Sequence, residues 1–344
     1  MLNLLLPTIF LLLFGLFNLL GIKTGFASTQ LVNICMGFIG YFVIKKIGRR
    51  FFESNSQFFY WSFLIILIVT YIIGYEVKGS KRWIDLYFFN FQASEFFKVF
   101  FIVFFASLIA KSQKKIDDSF FVAKLFGYFL LPTFIIFKQP DLGNAMVYVF
   151  IFFGILFFSN VSKKLILSVL LIIILSLPFG WLFLKDYQKA RFVSFVNPQI
   201  DKAGTAYNMT QAIITIGSGK LLGNGLGLGT QAKLYFLPEN QTDFAFASLV
   251  EQFGFLGGFI VILLYGILIF FLGSKLVKYS CDHSEEGRYK FYYVLGFLCF
   301  FLVQMLVNIG MNLGLLPIAG IALPLISYGG SAIVTWMIGL ALMP

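Results

Sequence analysis

The stretch Ser94–Ala110, SEFFKVFFIVFFASLIA, decides the fold class of this chain. It is apolar almost throughout, but Glu95 and Lys98 lie near its start. A helix needs roughly 20 mostly apolar residues to cross a bilayer. Charges inside such a helix are expensive and usually paired or functional. The stretch therefore predicts a membrane-spanning helix with a charged pair near one end.

The composition of the whole chain extends this prediction. Of 344 residues, 59% are hydrophobic and 12% are charged, whereas a soluble domain carries about 25% charged residues. The formal net charge of +11 is explained by loop lysines facing anionic headgroups and by an anionic substrate. Because no basic run is interleaved with aromatic residues, we do not expect nucleic acid as a partner.

Apolar runs of spanning length recur along the chain and predict an all-α, polytopic integral membrane protein. We expect about ten transmembrane helices. The predicted spans are Leu4–Ile22, Ser28–Ile44, Phe58–Tyr75, Ser94–Ala110, Phe120–Phe137, Gly143–Phe158, Leu165–Leu184, Phe244–Leu272, Phe291–Leu313 and Ala322–Leu342. The first lacks a basic start and an Ala-x-Ala cleavage site, so it is interpreted as a retained helix and not as a signal peptide.

Basic residues are unevenly divided between alternate loops, which predicts the orientation. The richer set, assigned to the cytoplasm, contains Lys45, Lys46, Arg49, Arg50, Lys111, Lys114, Lys115, Lys163, Lys164, Lys275, Lys278, Arg288 and Lys290. The opposite short loops contain Lys23, Lys78, Lys81, Arg82 and Lys138. Both termini are then expected in the cytoplasm.

One long connection, Lys185–Asp243, lies on the predicted outer side between the seventh and eighth spans. Its aromatic content argues against disorder, and we expect short interfacial helices there. We find no internal repeat and no soluble domain, so residues 1–344 are expected to form a single transmembrane domain with 185–243 as a loop within it.

Cysteine and histidine offer little chemistry. Cys35, Cys281 and Cys299 form no CxxC pair, so neither a zinc site nor a disulfide framework is indicated. The sole histidine, His283, lies in a polar loop. Acid–base chemistry would therefore use carboxylates, lysine or tyrosine.

Three carboxylates at predicted membrane edges or depths are candidates for function. Glu95 and Lys98, three residues apart, share one helix face and form either a structural ion pair or a charged cavity wall. Asp243, at the mouth of the eighth span, is either a helix N-cap or a reactive group. Glu251, two turns deeper, is either a paired structural glutamate or a functional residue.

Two outer-loop features have competing interpretations. Lys81, Arg82 and Trp83 suit a phosphate- and sugar-bearing ligand, but also interfacial anchoring. The run Gly217–Gly225, GSGKLLGNG, departs from the phosphate-loop pattern because Lys220 is followed by leucine. Tight turns that allow close backbone approach explain it better.

An ordered series of motifs resembles the SEDS family, which includes RodA and FtsW. The series, in chain order, is Gly79–Ile84 (GSKRWI), Gln92–Lys98 (QASEFFK), Gln139–Gly143 (QPDLG), Tyr187–Arg191 (YQKAR), Gly217–Gly219, Leu237–Phe244 (LPENQTDF), Asn308–Asn312 (NIGMN) and Leu323–Ser331 (LPLISYGGS). Tyr187-Gln188 with Arg191, Gly229–Gln231 and Gly310-Met311 resemble RodA more than FtsW. Departures are Ala93 for a usual proline, Gln241 for a common histidine and Gln252 for a frequent second glutamate.

The resemblance implies a peptidoglycan glycosyltransferase for cell elongation and shape. Such enzymes polymerise lipid II, a disaccharide-pentapeptide on undecaprenyl pyrophosphate, into β-1,4 glycan strands, with inversion, at the outer face of the bacterial cytoplasmic membrane. The implied partner is a class B penicillin-binding protein, and Asp243 matches the family's catalytic aspartate.

The residues fit this chemistry. A pyrophosphate leaving group needs no acid, so the reaction needs a base, Asp243, and cations. Lys81, Arg82, Lys98 and Arg191 are candidate cations, and Glu95 would position Lys98. Trp83 would stack on a sugar or shape the donor pocket, and Glu251 is a further substrate-binding candidate. A divalent cation, Mg2+ or Mn2+, is an alternative neutraliser. Two rival functions remain: a flippase for lipid-linked precursor and a non-catalytic scaffold.

Overall fold

The structure is a computed structural model that describes residues 2–77, 80–85, 89–112, 118–197 and 204–344. Four basic or motif residues of the predicted loops, Lys78, Gly79, Lys114 and Lys115, lie outside this part. The predicted all-α class is confirmed: the described chain consists mainly of long apolar helices, with one small sheet.

Within the described residues, fourteen helices and three strands follow one another along the chain. They are α1 (Leu2–Ile22), α2 (Thr24–Ile47), α3 (Arg49–Ser54), α4 (Ser56–Ile73), β1 (Tyr75–Val77), β2 (Ser80–Asp85), β3 (Asn90–Phe91), α5 (Ala93–Lys111), α6 (Ser119–Lys138), α7 (Leu142–Phe157), α8 (Lys163–Phe183), α9 (Asp186–Val196), α10 (Thr205–Ser218), α11 (Thr230–Lys233), α12 (Ala245–Ser280), α13 (Glu285–Asn312) and α14 (Gly330–Leu342).

Ten of these helices coincide with the ten predicted spans. Seven of them are long and apolar enough to cross a membrane by length and composition: α1, α2, α4, α5, α6, α12 and α13. The helices α7 and α14 are also apolar but shorter. The tenth helix, α8, lies at the position of the seventh predicted span, Leu165–Leu184.

The last predicted span is wrong at its start. The run from Ala322 was predicted as helix because it is apolar, but α14 begins only at Gly330. Pro324 has no amide hydrogen to donate, and Leu325 has a φ of 69°, which a helix does not allow. The residues before α14 therefore form turns.

The chain divides into two compact units, and one of them is centred on α5. This unit comprises Tyr41–Lys185, Leu272–Phe301 and Ile338–Pro344. In the apolar stretch of α5, 89% of the residues are buried. Its phenylalanines stack on α4, where the ring centroids of Phe63 and Phe100 are 4.3 Å apart. Such contacts make α5 the core of its unit.

Small residues allow α7 and α13 to approach closely in the same unit. A methyl group built on Gly154 of α7 would lie 2.5 Å from Sγ of Cys299 in α13. A methyl group on Gly296 would lie 2.9 Å from side-chain carbons of Ile102 and Ile155. Close backbone approach at small residues is the usual way in which helices pack within lipid.

The other unit comprises Met1–Gly40, Asp186–Phe271 and Leu302–Met337. Here α1 packs against the turns before α14, since a methyl group on Gly15 would lie 2.8 Å from the carbonyl oxygen of Ile326. The hydroxyl of Tyr265 donates to the carbonyl oxygen of Pro324 at 2.6 Å. These contacts satisfy backbone groups of a non-helical segment, which lipid cannot do.

The long connection contains three short helices, α9, α10 and α11, as predicted. Their placement at the outer membrane surface remains a prediction. The glycine-rich run after α10 lies against α12, which is interrupted at Gly254, where φ is 70°. There the amides of Phe255 and Leu256 donate to the carbonyl oxygens of Lys220 and Leu221 at 2.8 and 3.2 Å.

Candidate functional site

Asp243 lies just before α12, and hydrogen bonds to its main-chain carbonyl hold it there. Its carbonyl oxygen accepts hydrogen bonds from Nδ2 of Asn308 and Nδ2 of Asn312, both at 3.0 Å. Both asparagines are fully buried in α13, whereas Asp243 is half-buried. The NIGMN motif of the sequence therefore fixes the backbone from which the Asp243 carboxylate extends.

The turns before α14 hold the two residues that precede Asp243. Oγ of Ser327 donates to the carbonyl oxygen of Thr242 at 2.6 Å. The amide of Tyr328 donates to the carbonyl oxygen of Gln241 at 2.8 Å. Both residues belong to the LPLISYGGS motif, so three of the sequence motifs meet at Asp243.

Arg191 and Asp243 converge on Gly320. Nη1 of Arg191 donates to the carbonyl oxygen of Ile318 at 3.3 Å. A methyl group built on Gly320 would lie 3.5 Å from Nη1 of Arg191 and 3.9 Å from Oδ2 of Asp243. Gly320 has a φ of 67°, so it also needs the conformational freedom of glycine. A cation and a carboxylate thus face the same small residue.

Glu251 is fully buried and bonds to the protein backbone. Its Oε1 accepts from the amide of Gln231 at 2.8 Å, and its Oε2 accepts from the amide of Ala232 at 2.9 Å. These amides belong to the first turn of α11. A carboxylate is well suited to this place because α11 leaves its first amides without helical acceptors.

The other unit contains the predicted outer cluster, which lies on β2. This strand is the centre of a three-stranded sheet in the order β1-β2-β3. Because side chains alternate along a strand, Lys81 and Trp83 share one face and Arg82 lies on the other. Trp83 is the antiparallel strand partner of Tyr75 in β1. Burial, and to a smaller extent the nearby Asp85 carboxylate, raises the pKa of the Tyr75 phenol.

Arg82 forms an ion pair with Asp141, which belongs to the QPDLG motif but is not among the predicted site residues. Nη1 of Arg82 lies 3.2 Å from Oδ1 of Asp141, and the side chains are 24% and 1% exposed. Oδ2 of Asp141 accepts from Gln92 at 3.1 Å and from Nδ2 of Asn144 at 2.8 Å. The two motifs QASEFFK and QPDLG therefore meet on one carboxylate.

Glu95 and Lys98 form the predicted ion pair within α5. Nζ of Lys98 lies 2.6 Å from Oε1 of Glu95, with side-chain exposures of 0% and 8%. Nζ of Lys98 also lies 5.3 Å from the ring centroid of Phe300. Among the described residues, the buried Oε2 of Glu95 has no hydrogen-bond partner.

The described residues contain no preformed cluster of metal ligands. Nowhere in the described ranges do three histidine, cysteine or acidic side chains gather as metal ligands. Mg2+ is usually held by one or two carboxylates together with substrate phosphates and water. A divalent cation that neutralises a diphosphate would therefore arrive with the substrate and need only one or two of the acidic side chains.

These features define an integral membrane protein whose carboxylates and cations are fixed by buried polar contacts. A sequence profile of the cell cycle protein family that includes FtsW, RodA and SpoVE matches residues 5–344. The chain belongs to this family.

Curated relatives carry the names of enzymes. Peptidoglycan glycosyltransferase MrdB of Helicobacter pylori is 36% identical over 96% of this chain and 83% of the relative. MrdB of Escherichia coli K12 is 33% identical over 94% and 86%. Probable peptidoglycan glycosyltransferase FtsW of Haemophilus influenzae is 36% identical over 90% and 77%. The predicted enzyme class, peptidoglycan glycosyltransferase, is confirmed by these relatives.

Solved structures share the fold. One, which concerns the coordination of polymerization and crosslinking by a peptidoglycan synthase complex, has a TM-score of 0.82 at 25% identity, covering 100% of this chain and 96% of the other. The rod shape determining protein RodA of Thermus thermophilus has a TM-score of 0.71 at 23% identity, covering 99% and 94%. The predicted family resemblance is confirmed, and its RodA-like character is consistent with the MrdB relatives.

Sequence reasoning and structure differ most for Asp141 and Glu251. Asp141 was not a predicted site residue, although an aspartate between proline and an apolar helix is a recognisable signal for a capping carboxylate. Glu251 was predicted to bind substrate, and its carboxylate contacts main-chain amides. The roles of the other predicted residues stay predictions.

Proposed function

We propose that this protein polymerises lipid II into β-1,4 glycan at the outer face of the bacterial cytoplasmic membrane. One observation carries the proposal: Asp243 is a half-buried carboxylate at the mouth of a membrane-spanning helix, and its backbone is held by two buried asparagines. A base for a lipid-linked substrate needs such a place, where hydrocarbon gives way to water, and needs fixed geometry.

In the proposed reaction Asp243 is the general base. The acceptor sugar hydroxyl gives its proton to a carboxylate oxygen of Asp243 while its oxygen attacks the donor's anomeric carbon. The bond between that carbon and the pyrophosphate oxygen breaks, and the pyrophosphate leaves with the electron pair. Attack opposite the leaving group inverts the anomeric centre, which gives a β linkage from an α-linked donor.

The developing negative charge of the diphosphate requires cations. Arg191 is the proposed cation in the unit that contains Asp243, because both side chains face Gly320. In the other unit, Lys81 and Arg82 are proposed phosphate ligands, with Asp141 fixing the Arg82 guanidinium. Lys98, oriented by Glu95, is a further cation, and Trp83 is proposed to contact a sugar ring.

The setting of the enzyme is also part of the proposal. The distribution of basic loop residues supports cytoplasmic termini and an outer active site. The RodA-like motifs support a role in elongation and cell shape. A class B penicillin-binding protein transpeptidase is the proposed partner, which would crosslink the peptides of the new glycan, and surrounding lipid is the solvent for the substrate's polyprenyl chain.

The test is purified protein in liposomes with labelled lipid II, assayed for glycan polymer and for movement of lipid II between leaflets. We expect polymer from the parent and none from Asp243→Ala. The matched control is Asp282→Ala, which changes an exposed carboxylate in a loop and should polymerise at the parental rate.

The rival functions give different results in the same assay. A parent that transfers lipid II across the bilayer without making polymer would be a flippase. A parent that does neither, alone or with the transpeptidase, would be a scaffold. Polymer formation by Asp243→Ala at the parental rate would remove Asp243 as the base while leaving the enzyme class intact.

A further inference from the structure

Glu251 contacts the protein where the sequence predicted a substrate contact. Both of its oxygens accept main-chain amides of α11, and the side chain is fully buried. A methyl group built on Gly229 would lie 2.6 Å from Oε2. The carboxylate is therefore covered by the chain just before α11 and by α11 itself.

We propose that Glu251 is a positioning residue for Asp243, acting through α11 and Asn240. The inference rests on the proposed function, since it assumes that Asp243 is the base. It replaces the expectation that Glu251 binds substrate, because the contacts of its carboxylate are amides of Gln231 and Ala232 rather than groups of an open pocket.

The first link runs from α11 to the loop that carries Asp243. Ala232, whose amide is bound by Glu251, accepts at its carbonyl oxygen a hydrogen bond from Nδ2 of Asn240 at 2.5 Å. The amide of Leu237 also donates to the carbonyl oxygen of Gln231 at 3.2 Å. The loop from Leu237 to Asp243 is thus tied to α11 at two points.

The second link returns to α12. Oγ of Ser248 donates to the carbonyl oxygen of Asn240 at 3.0 Å. Ser248 and Glu251 lie on the same helix, so α12 holds Asn240 directly through Ser248 and indirectly through α11. Asn240 is fully buried between them. A shift of α11 would move Asn240 and, three residues later, the base.

The main chain of Glu251 anchors the start of the same segment. Its carbonyl oxygen accepts from the amide of Asn224 at 2.9 Å, next to the break of α12 at Gly254. The side chain and the main chain of one residue therefore hold both ends of the segment between Asn224 and Ala232. This explains the glycine-rich run as a backbone that must approach a broken helix closely.

The chemistry of the site requires a carboxylate. An ionised glutamate offers acceptors at both oxygens, whereas a glutamine offers one acceptor and an NH2 group. Glu251→Gln would turn that NH2 toward one of the two main-chain amides, which are both donors. One amide would then lose its partner, and α11 would be loosened without a change of side-chain volume.

The experiment combines hydrogen exchange with steady-state kinetics on the full chain in detergent. In Glu251→Gln we expect faster exchange in peptides covering Gly229–Asp243 and parental exchange in α5. The kcat for lipid II polymerisation should fall about 10- to 100-fold, as for a base displaced by about 1 Å, while KM stays parental. The control is Glu285→Gln, the same change at an exposed carboxylate.

A second variant tests the relay independently of Glu251. Asn240→Ala should give the same pattern, and the double variant should lose little more than either single one, because both changes break one chain of contacts. Parental exchange at Gly229–Asp243 in both variants, or a raised KM with parental kcat in Glu251→Gln, would overturn the inference. Failure of the proposed function is separate: it appears as absence of polymer from the parent protein. Failure of the base assignment appears as polymer from Asp243→Ala, whatever the rate of hydrogen exchange.

Discussion

Two aspartates show two ways in which this protein uses a carboxylate. At Asp141 the contacts are made by the carboxylate itself, which is 1% exposed. It forms an ion pair with Arg82 and accepts hydrogen bonds from Gln92 and Asn144. At Asp243 two buried asparagines bind the main-chain carbonyl, and the residue is half-buried. The first arrangement stabilises structure through the side chain. The second fixes the backbone from which the Asp243 carboxylate extends, beside Arg191 at Gly320.

The largest effect is expected where a buried pair is broken. Lys98→Ala leaves Glu95 buried without its cation, which should lower the stability by about 3–5 kcal/mol, measured by thermal unfolding in detergent. In the double variant Glu95→Leu, Lys98→Met the pair becomes apolar and stability should return, but polymerisation should not. Recovery of polymerisation in the double variant would show that the pair of Glu95 and Lys98 contributes only to stability.

Asp141→Ala is expected to cost about 3 kcal/mol of stability, the low end for a broken buried pair, because Arg82 is 24% exposed and partly hydrated. The change also removes the cap of α7, where Oδ1 of Asp141 accepts from the amide of Asn144 at 3.2 Å. The unfolding temperature measures the loss, with Glu285→Ala, a change at an exposed carboxylate, as control. A parental unfolding temperature would show that Asp141 does not differ from Asp243 in the way described.

The contacts of the glycine-rich run predict a smaller loss. Gly223 has a φ of 83°, and a methyl group on it would lie 2.2 Å from the carbonyl oxygen of Gln252. Gly223→Ala should therefore cost at least about 1–3 kcal/mol from the backbone conformation alone. Gly217→Ala is the matched control, since Gly217 lies in α10 with open space around it and alanine favours helix by about 1 kcal/mol. Equal stability of the two variants would contradict this account of the run.

The smallest effect is expected at the asparagines that hold Asp243. Asn308→Ala removes hydrogen bonds to the carbonyl oxygens of Asp243 and Ile321, at 3.0 and 2.7 Å. Each bond contributes about 1 kcal/mol, and Asn312 still holds Asp243. We expect a modest fall in unfolding temperature and a clear fall in kcat. Parental kcat with lowered stability would show that backbone fixation is not needed for catalysis.

The membrane spans could be predicted from the sequence because their signal is local. A run such as Ser94–Ala110 shows its length and polarity without any partner. The start of α14 was missed for the same reason: Leu323–Ile326 is apolar, and the positive φ of Leu325 together with the contacts of Pro324 and Ser327 shows that it forms turns. The strands β1 and β3 are too short to give a periodic pattern, and β2, with the sequence SKRWID, does not alternate between polar and apolar residues.

The candidate site could be predicted only where residue chemistry alone indicates a role. Asp243 and the pair of Glu95 and Lys98 stand out as charges at the edges of apolar runs, whereas Arg191 is indicated by the family resemblance. The partners of Asp141 and Glu251 did not, because Arg82 and Ala232 are distant in sequence and become neighbours only through packing. Whether a buried carboxylate serves structure or substrate is decided by those partners.

The role of Asp243 as the base is tested most directly by the kcat of Asp243→Asn in lipid II polymerisation at matched folded fraction. The account predicts a fall of about 100-fold or more, as expected for loss of a general base, with a smaller loss of stability than in Asp141→Ala. A parental kcat, or a loss of stability as large as that of Asp141→Ala, would contradict it.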